Sequence, residues 1–216
     1  MRYFYTTLLF PFILTSCRNT PTAAGEQKRE WLPEPDRNER LLGEAINKTR
    51  KFACTLQDPD TSLSGIMLRN ALSAAHLIGT NNKPDNKEQY NFYSKQDKET
   101  LALTQHPGDR KNQISIFSVS YSDKADHGYK QLNVETFETE KGIKLGMTKE
   151  EVLSRLGNCY AVVDSSSEFI ELYYRIESPH DSKTSLLQRH HMPVYYASYI
   201  FGKNSLRFFE FGFEYP

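Results

Sequence analysis

The chain has 216 residues, with 27 basic and 27 acidic side chains and a formal net charge of zero. This balance argues against binding to nucleic acid or to an anionic membrane surface, since both require an excess of cationic side chains. Because 38% of the residues are apolar and 12% are aromatic, the chain can build the core of one compact domain or two small ones.

The N-terminus has the layout of a cleaved export signal. Arg2 precedes an apolar run at residues 3–14, which is interrupted by Pro11 and ends in Leu14-Thr15-Ser16-Cys17. A membrane-spanning helix needs about 20 apolar residues, so this run is too short to remain as a permanent anchor. The tetrapeptide resembles the lipobox of bacterial lipoproteins, which predicts a lipoprotein signal peptide at residues 1–16. The alternative is an ordinary secretory signal followed by an incidental cysteine.

The resemblance to bacterial lipoproteins implies a lipid anchor on Cys17. The thiol would carry a diacylglycerol and the freed amino group a further acyl chain such as palmitate, and two or more chains hold a protein at a bilayer. Residues 17–40 contain three prolines and many charges, which predicts a lipidated N-terminus and a flexible tether. Arg18 stands where some bacteria use an aspartate to retain lipoproteins at the inner membrane. We therefore expect an envelope protein of the outer membrane, on its periplasmic or surface side.

The three cysteines predict one anchor and one pair. If Cys17 is lipidated, Cys54 and Cys159 remain, and an oxidising envelope compartment favours a disulfide between them. That bond would close a loop of about 105 residues. The alternative is two buried, unpaired cysteines that behave as small hydrophobic residues.

Apolar periodicity predicts helices and strands in both halves of the chain. In the first half it predicts a helix near residues 41–49 and another near 63–78, capped by Ser62 or Ser64 and ended by Gly79. The second half should contain one further helix, in which Thr148 and Glu151 form a capping box and Gly157 is the stop signal. The predicted strands are residues 90–94, 100–105 and 111–121 in the first half, and 169–176, 194–201 and 203–213 in the second.

Residues 111–121 match residues 203–213 in polar or apolar class at every position, at an offset of 92 residues. Each stretch follows two predicted strands and a predicted helix. The pattern therefore predicts an α+β fold made of two helix-plus-three-stranded antiparallel units by internal duplication, over residues 41–128 and 129–216. Chance similarity between two amphipathic strands is the alternative.

A family resemblance covers at best residues 142–216. The segment Gly142-Ile143-Lys144-Leu145-Gly146-Met147-Thr148-Lys149-Glu150-Glu151-Val152-Leu153-Ser154-Arg155-Leu156-Gly157 resembles the "x-G-M-T-x-x-x-V-x-x-x-L-G-x-P" opening of BamE/SmpA-type lipoproteins, whose fold is similar to that of the beta-lactamase inhibitor protein. The resemblance implies that fold, binding of other proteins through a sheet face, and no active site. This chain departs from the pattern at Cys159, where the family usually has proline.

No common catalytic motif occurs, and no cofactor is predicted. The loop at residues 177–193 is an insertion relative to the first half, and it contains His180, Asp181, His190 and His191. These nitrogen and oxygen donors are weak candidates for a zinc or copper site. Adjacent histidines on an extended segment point to opposite sides, which favours solvated loop histidines instead.

The last strands are rich in aromatic residues on both faces, which suits a protein-interaction surface as well as a core. We therefore predict a membrane-anchored, non-catalytic interaction module that binds the membrane through Cys17 and envelope proteins through its body. The alternative function is metal binding, carbohydrate binding or hydrolysis centred on residues 177–193.

Overall fold

A computed structural model of the chain describes residues 54, 56–79, 84, 88–123, 128–165, 169–177 and 185–214. All of them fall within the unit Ile46–Pro216. The predicted signal peptide, the tether, the helix predicted over 41–49 and Cys17 lie outside the described residues, and their assignments stay predictions.

The described residues form ten strands and three α-helices, with one short 3-10 helix, Lys95–Asp97, between the third and fourth strands. The strands are β1 Ser62–Leu63, β2 Ile66–Met67, β3 Gln89–Tyr93, β4 Glu99–Thr104, β5 Ile116–Tyr121, β6 Lys130–Gln131, β7 Ala161–Ser165, β8 Phe169–Glu177, β9 Val194–Gly202 and β10 Ser205–Phe213. The α-helices are α1 Ala71–Ile78, α2 Lys149–Leu156 and α3 Leu186–His190.

Eight of the strands form one mixed sheet in the order β6-β3-β4-β5-β10-β9-β8-β7, and β1 and β2 form a separate hairpin. Neighbours in the large sheet are antiparallel except β3 and β6, which are parallel. The predicted fold of two helix-plus-three-stranded units is therefore wrong. β5 and β10, each expected to close a unit of its own, pair with each other, with Ser118 opposite Glu210. This pairing satisfies backbone groups that two separate sheets would leave at open edges.

The contact between β5 and β10 depends on Gly212. A Cβ atom at this position would lie 2.2 Å from the carbonyl oxygen of Ser115 and 2.7 Å from the Cα of Ile116. The backbone N–H of Phe213 donates to the same Ser115 oxygen over 2.9 Å. Only a residue without a side chain permits this close approach of two backbones.

One face of the sheet carries the hydrophobic core. Alternate residues of the strands project to it, and the apolar sides of all three α-helices and of the β1–β2 hairpin pack against them. Its aromatic side chains include Phe92, Phe117, Tyr174, Tyr195, Tyr199, Phe201, Phe209, Phe211 and Phe213. Rings bury much apolar area, so this aromatic layer is the main hydrophobic contribution to the fold.

The predicted helix signals of the second half are confirmed. The backbone N–H of Glu151 donates to Thr148 Oγ1 over 3.2 Å, and the N–H of Thr148 donates to Glu151 Oε2 over 2.7 Å. Val152 and Leu156 are buried in the core, and the helix ends at Gly157. These signals are local in sequence, which explains why they could be read from the chain alone.

The helix predicted over 63–78 is wrong in its first half. Ser64 and Gly65 both have positive φ angles and form the tight turn between β1 and β2, where the preference of glycine for this conformation favours a hairpin. The helix begins at Ala71. The side chain of Asn70, rather than that of a serine, accepts hydrogen bonds from the backbone N–H groups of Leu72 and Ser73. Its predicted end at Gly79 is confirmed.

Cys54 and Cys159 are joined by a disulfide, which confirms the predicted pairing, and their Cα atoms are 4.7 Å apart. The bond links the chain before β1 to the segment between α2 and β7. It therefore ties the N-terminal end of the described chain to the β7 edge of the large sheet.

We expect the Cys54→Ser/Cys159→Ser double variant to lose about 2 to 5 kcal/mol of unfolding free energy, because the disulfide closes a loop of 105 residues. The measurement is the urea midpoint of unfolding with and without reductant. Reductant should lower the midpoint of the wild-type protein and leave that of the double variant unchanged. Equal midpoints for both proteins without reductant would contradict the expected stabilisation.

Candidate interaction face

The second face of the large sheet lies outside the hydrophobic core. None of its side chains belongs to the core cluster, and each α-helix buries its apolar residues in that cluster on the other side. We call this surface the open face. By register and alternation it includes Gln89, Asn91, Tyr93, Thr100, Ala102, Thr104, Ile116, Ser118, Ser120, Phe169, Glu171, Tyr173, Arg175, Glu177, Val194, Tyr196, Ser198, Ile200, Phe208, Glu210 and Gly212.

Small side chains line the centre of the open face. Ala102 lies opposite Ser118 across β4 and β5, and Ser120 lies one pleat further along. Tyr196 and Phe208 stand on the neighbouring strands β9 and β10 and are partly exposed. Partly exposed rings thus stand beside small side chains on this face, which a segment of another molecule can contact.

Glu210 lies at the middle of this surface. Its Oε2 atom accepts from the hydroxyl of Ser118 over 2.5 Å, and its Oε1 atom accepts from the hydroxyl of Tyr196 over 2.6 Å. Burial, together with the Glu210 carboxylate, raises the pKa of Tyr196 above its usual value. Tyr196 consequently stays a hydrogen-bond donor. No described cationic side chain forms an ion pair with Glu210.

Arg175 is a cation of the open face, and two other carboxylates already engage it. Its guanidinium binds both oxygens of Glu214, with Nη2 donating over 3.0 Å, and Nε pairs with Glu177. Burial opposes its charge, but the hydrogen bonds to Glu214 and Glu177 raise its pKa above the usual value. The ring of Tyr173 stacks on that of Tyr196, with centroids 6.1 Å apart. This aromatic pair separates the guanidinium system from Glu210.

Glu171 is a second carboxylate without an ion pair among the described residues. Its Oε1 atom accepts from the hydroxyl of Ser198 over 2.8 Å. Across the sheet it lies opposite Ile200, and Phe169, which is 46% exposed, lies one pleat away on the same strand. Glu177 and Glu214 lie at the opposite end of the strands and pair with Arg175. Arg207 lies near Phe169, since its Cγ atom and the Phe169 ring would both contact a Cβ atom at Gly202.

The alternative of a metal site finds no support among the described residues. His190 and His191 lie at the C-terminal end of α3 and not on an extended segment. The ring of His190 packs against that of Phe213 with centroids 5.3 Å apart, and burial and then the Arg189 charge lower its pKa. No group of three or more His, Cys, Asp or Glu in the described part of the chain could hold a metal ion. His180 and Asp181 lie outside that part.

A polar cluster next to β10 holds the loop between β4 and β5. Asp109 accepts from the guanidinium of Arg69, from the hydroxyl of Ser115 over 2.6 Å and from the backbone N–H of His106 over 2.8 Å. His106 Nε2 is 2.7 Å from the carbonyl oxygen of Phe213. The serine hydroxyl thus donates to a carboxylate that also binds a guanidinium. We interpret this cluster as a structural clamp on the loop.

Asp60 is a fully buried carboxylic acid on the core side of the fold. Burial raises its pKa from 3.8 to about 6, although hydrogen bonds from Thr139 and Lys141 and the Lys141 charge oppose the shift, and Glu140 adds to it. Its Oδ2 atom and the hydroxyl of Tyr199 have no hydrogen-bond partner among the described residues. An ionised carboxylate is disfavoured in such a site.

We expect Asp60→Asn to remove part of the pH dependence of stability. Because folding raises the pKa of Asp60 from 3.8 to about 6, the folded state favours the protonated acid. Protonated Asp60 therefore makes its full contribution to the unfolding free energy below about pH 4. This contribution, roughly 3 kcal/mol in total, is lost as pH rises through about 6. Asparagine does not titrate. Urea midpoints at pH 4, 5, 6 and 7 should fall more steeply in the wild-type protein than in the variant, and parallel pH profiles would contradict this assignment.

The residues of the candidate interaction face that the sequence prediction missed are the carboxylates Glu171 and Glu210 and their hydroxyl donors. Ser118 and Glu210 already stand at polar positions of alternating strands. The alternation of polar and apolar residues thus indicated that both side chains lie on the polar face of a strand. The pairing of β5 with β10, which brings these two residues together, was not predicted.

Within the described residues, no helix has the length and apolar character needed to cross a bilayer. Comparisons with protein-family models, with curated proteins and with solved structures gave no match. The resemblance of residues 142–216 to BamE/SmpA-type lipoproteins stays a prediction, and the function has to be inferred from the chain itself.

Proposed function

We propose that this protein is a lipid-anchored lipoprotein of the cell envelope that acts as a non-catalytic protein-interaction module, with the open face as its binding surface. The observation that carries the proposal is a broad sheet face with partly exposed aromatic and carboxylate side chains, outside the hydrophobic core. Rigid sheets position such side chains without reorganisation, which favours binding.

Two features of the chain support the envelope assignment. The Leu14-Thr15-Ser16-Cys17 sequence resembles a lipobox, and the Cys54–Cys159 disulfide is typical of proteins that fold in oxidising compartments. A tether of about 20 residues would have a root-mean-square span near 25 Å. That span is long enough for the open face to reach partners beyond the lipid headgroups of the proposed outer membrane.

The binding surface can be tested by photo-crosslinking in intact cells. A photoreactive amino acid at Ser120, on the open face, should crosslink to an envelope protein. The matched control is Leu72 on α1, which is 86% exposed but does not lie on the large sheet. We expect a discrete crosslinked species only from Ser120. The same species from both positions, or none from Ser120, would contradict the proposed surface.

The anchor has a separate test. Because lipidation requires the Cys17 thiol, Cys17→Ala should move the protein from the membrane fraction to the soluble fraction, and palmitate labelling should be lost. Cys54→Ser/Cys159→Ser is the matched control, since it removes the other two cysteines and should retain both the label and the membrane fraction. Palmitate labelling that persists in Cys17→Ala would contradict the assigned anchor.

A further inference from the structure

We propose that the open face recognises a cationic segment of its partner protein, with a lysine or arginine side chain of that segment seated over Glu210. This inference rests on the proposed function and adds the chemistry of the partner. It follows from the carboxylates of the open face, their hydrogen bonds and the apolar side chains beside them.

The first argument is that Glu210 is held in place but is not neutralised. Two neutral donors, the hydroxyls of Ser118 and Tyr196, orient its carboxylate at 2.5 and 2.6 Å. Both donors project from the same face of the sheet as Glu210, which is partly exposed and has the small side chains of Ala102 and Ser118 beside it. A cation placed there would form charge-assisted hydrogen bonds with a carboxylate that is already oriented.

The second argument is that the protein's own guanidinium groups near this face are engaged elsewhere, Arg207 over the ring of Tyr121 and Arg175 in ion pairs. Arg175 is bound by Glu214 and Glu177, and the stacked rings of Tyr173 and Tyr196 separate it from Glu210. Neutralisation of Glu210 by Arg175 would therefore require the loss of both existing ion pairs. A cation from a partner meets no such competition.

The third argument is that Glu171 repeats this arrangement two strands away. It also accepts a hydrogen bond from a serine hydroxyl, at 2.8 Å from Ser198, and forms no ion pair with a described residue. Neighbouring strands are about 4.8 Å apart, so β8 and β10 are separated by about 10 Å. One segment with two basic side chains can reach both carboxylates.

Apolar side chains lie beside these carboxylates and suit the same segment. Ile200 lies opposite both Phe208 and Glu171 across the sheet, and the ring of Phe169 is 46% exposed at the end of the face. Aromatic rings attract guanidinium and ammonium groups and cover the aliphatic part of basic side chains. An acidic or strongly hydrophilic partner would not use these contacts.

The test uses the full, lipidated protein in cells with the photoreactive amino acid at Ser120. Glu210→Gln keeps the size of the side chain and one of its two acceptor oxygens, and it removes the charge. Glu150→Gln on α2 is the matched control, since it removes the same charge from an exposed position away from the open face. We expect Glu210→Gln to lower the crosslinking yield about tenfold and Glu150→Gln to leave it unchanged. Thermal melting of each purified variant checks that the fold is retained.

The crosslinked peptide of the partner, identified by mass spectrometry, should contain lysine or arginine next to an apolar residue. An unchanged yield in Glu210→Gln, or a partner peptide without a basic residue, would overturn the cationic segment and leave the proposed function standing. A crosslink to a second copy or to residues 18–53 of the same chain would overturn it too. If the photoreactive amino acid at position 120 gives no crosslink in the protein without a further substitution, the result contradicts the proposed function itself.

Discussion

The antiparallel pairing of β5 with β10 is the constraint on which the rest of the structure depends. It joins the strands on either side into one eight-stranded sheet, and it requires the backbone of Gly212 to lie against Ser115 with no room for a side chain. Without this pairing, two small sheets would each present a long edge of unpaired backbone groups. With it, the chain builds a single aromatic core and a single continuous surface opposite that core.

The two faces of this sheet have different chemistry because side chains alternate along every strand. Rings such as Phe117, Phe209 and Phe211 project into the core, where helices and the small hairpin exclude water. On the other face the same strands contribute Ser118 and Glu210, which meet only because β5 and β10 are in register at that point. The register that completes the core therefore also assembles the carboxylate site that we propose as the centre of the binding surface.

The disulfide and the proposed lipid anchor each fasten a different point of the N-terminal part of the chain. Cys54 fastens the start of the described chain to Cys159 near the β7 edge, whereas Cys17 would fasten the N-terminus to a membrane. The predicted tether at residues 17–40 would then have a limited length, which would raise the effective concentration of the open face near membrane-bound partners. A modest affinity for each partner would suffice in that arrangement, and a basic segment over Glu210 can supply it.

Local signals in the sequence determined the elements of the fold. Five of the six predicted strands end within two residues of the observed ends, whereas β5 begins five residues later than predicted and β7 was not predicted. The capping box of Thr148 and Glu151 identified α2, because these patterns depend on neighbours in the chain. The spare pair of cysteines likewise predicted the disulfide. Only the tertiary structure decided that β5 pairs with β10, that residues 62–67 form a hairpin, and that Glu210 meets Ser118 and Tyr196. Strand pairing between distant segments depends on backbone contacts, such as the one that Gly212 permits, and alternation within one strand does not specify its partner.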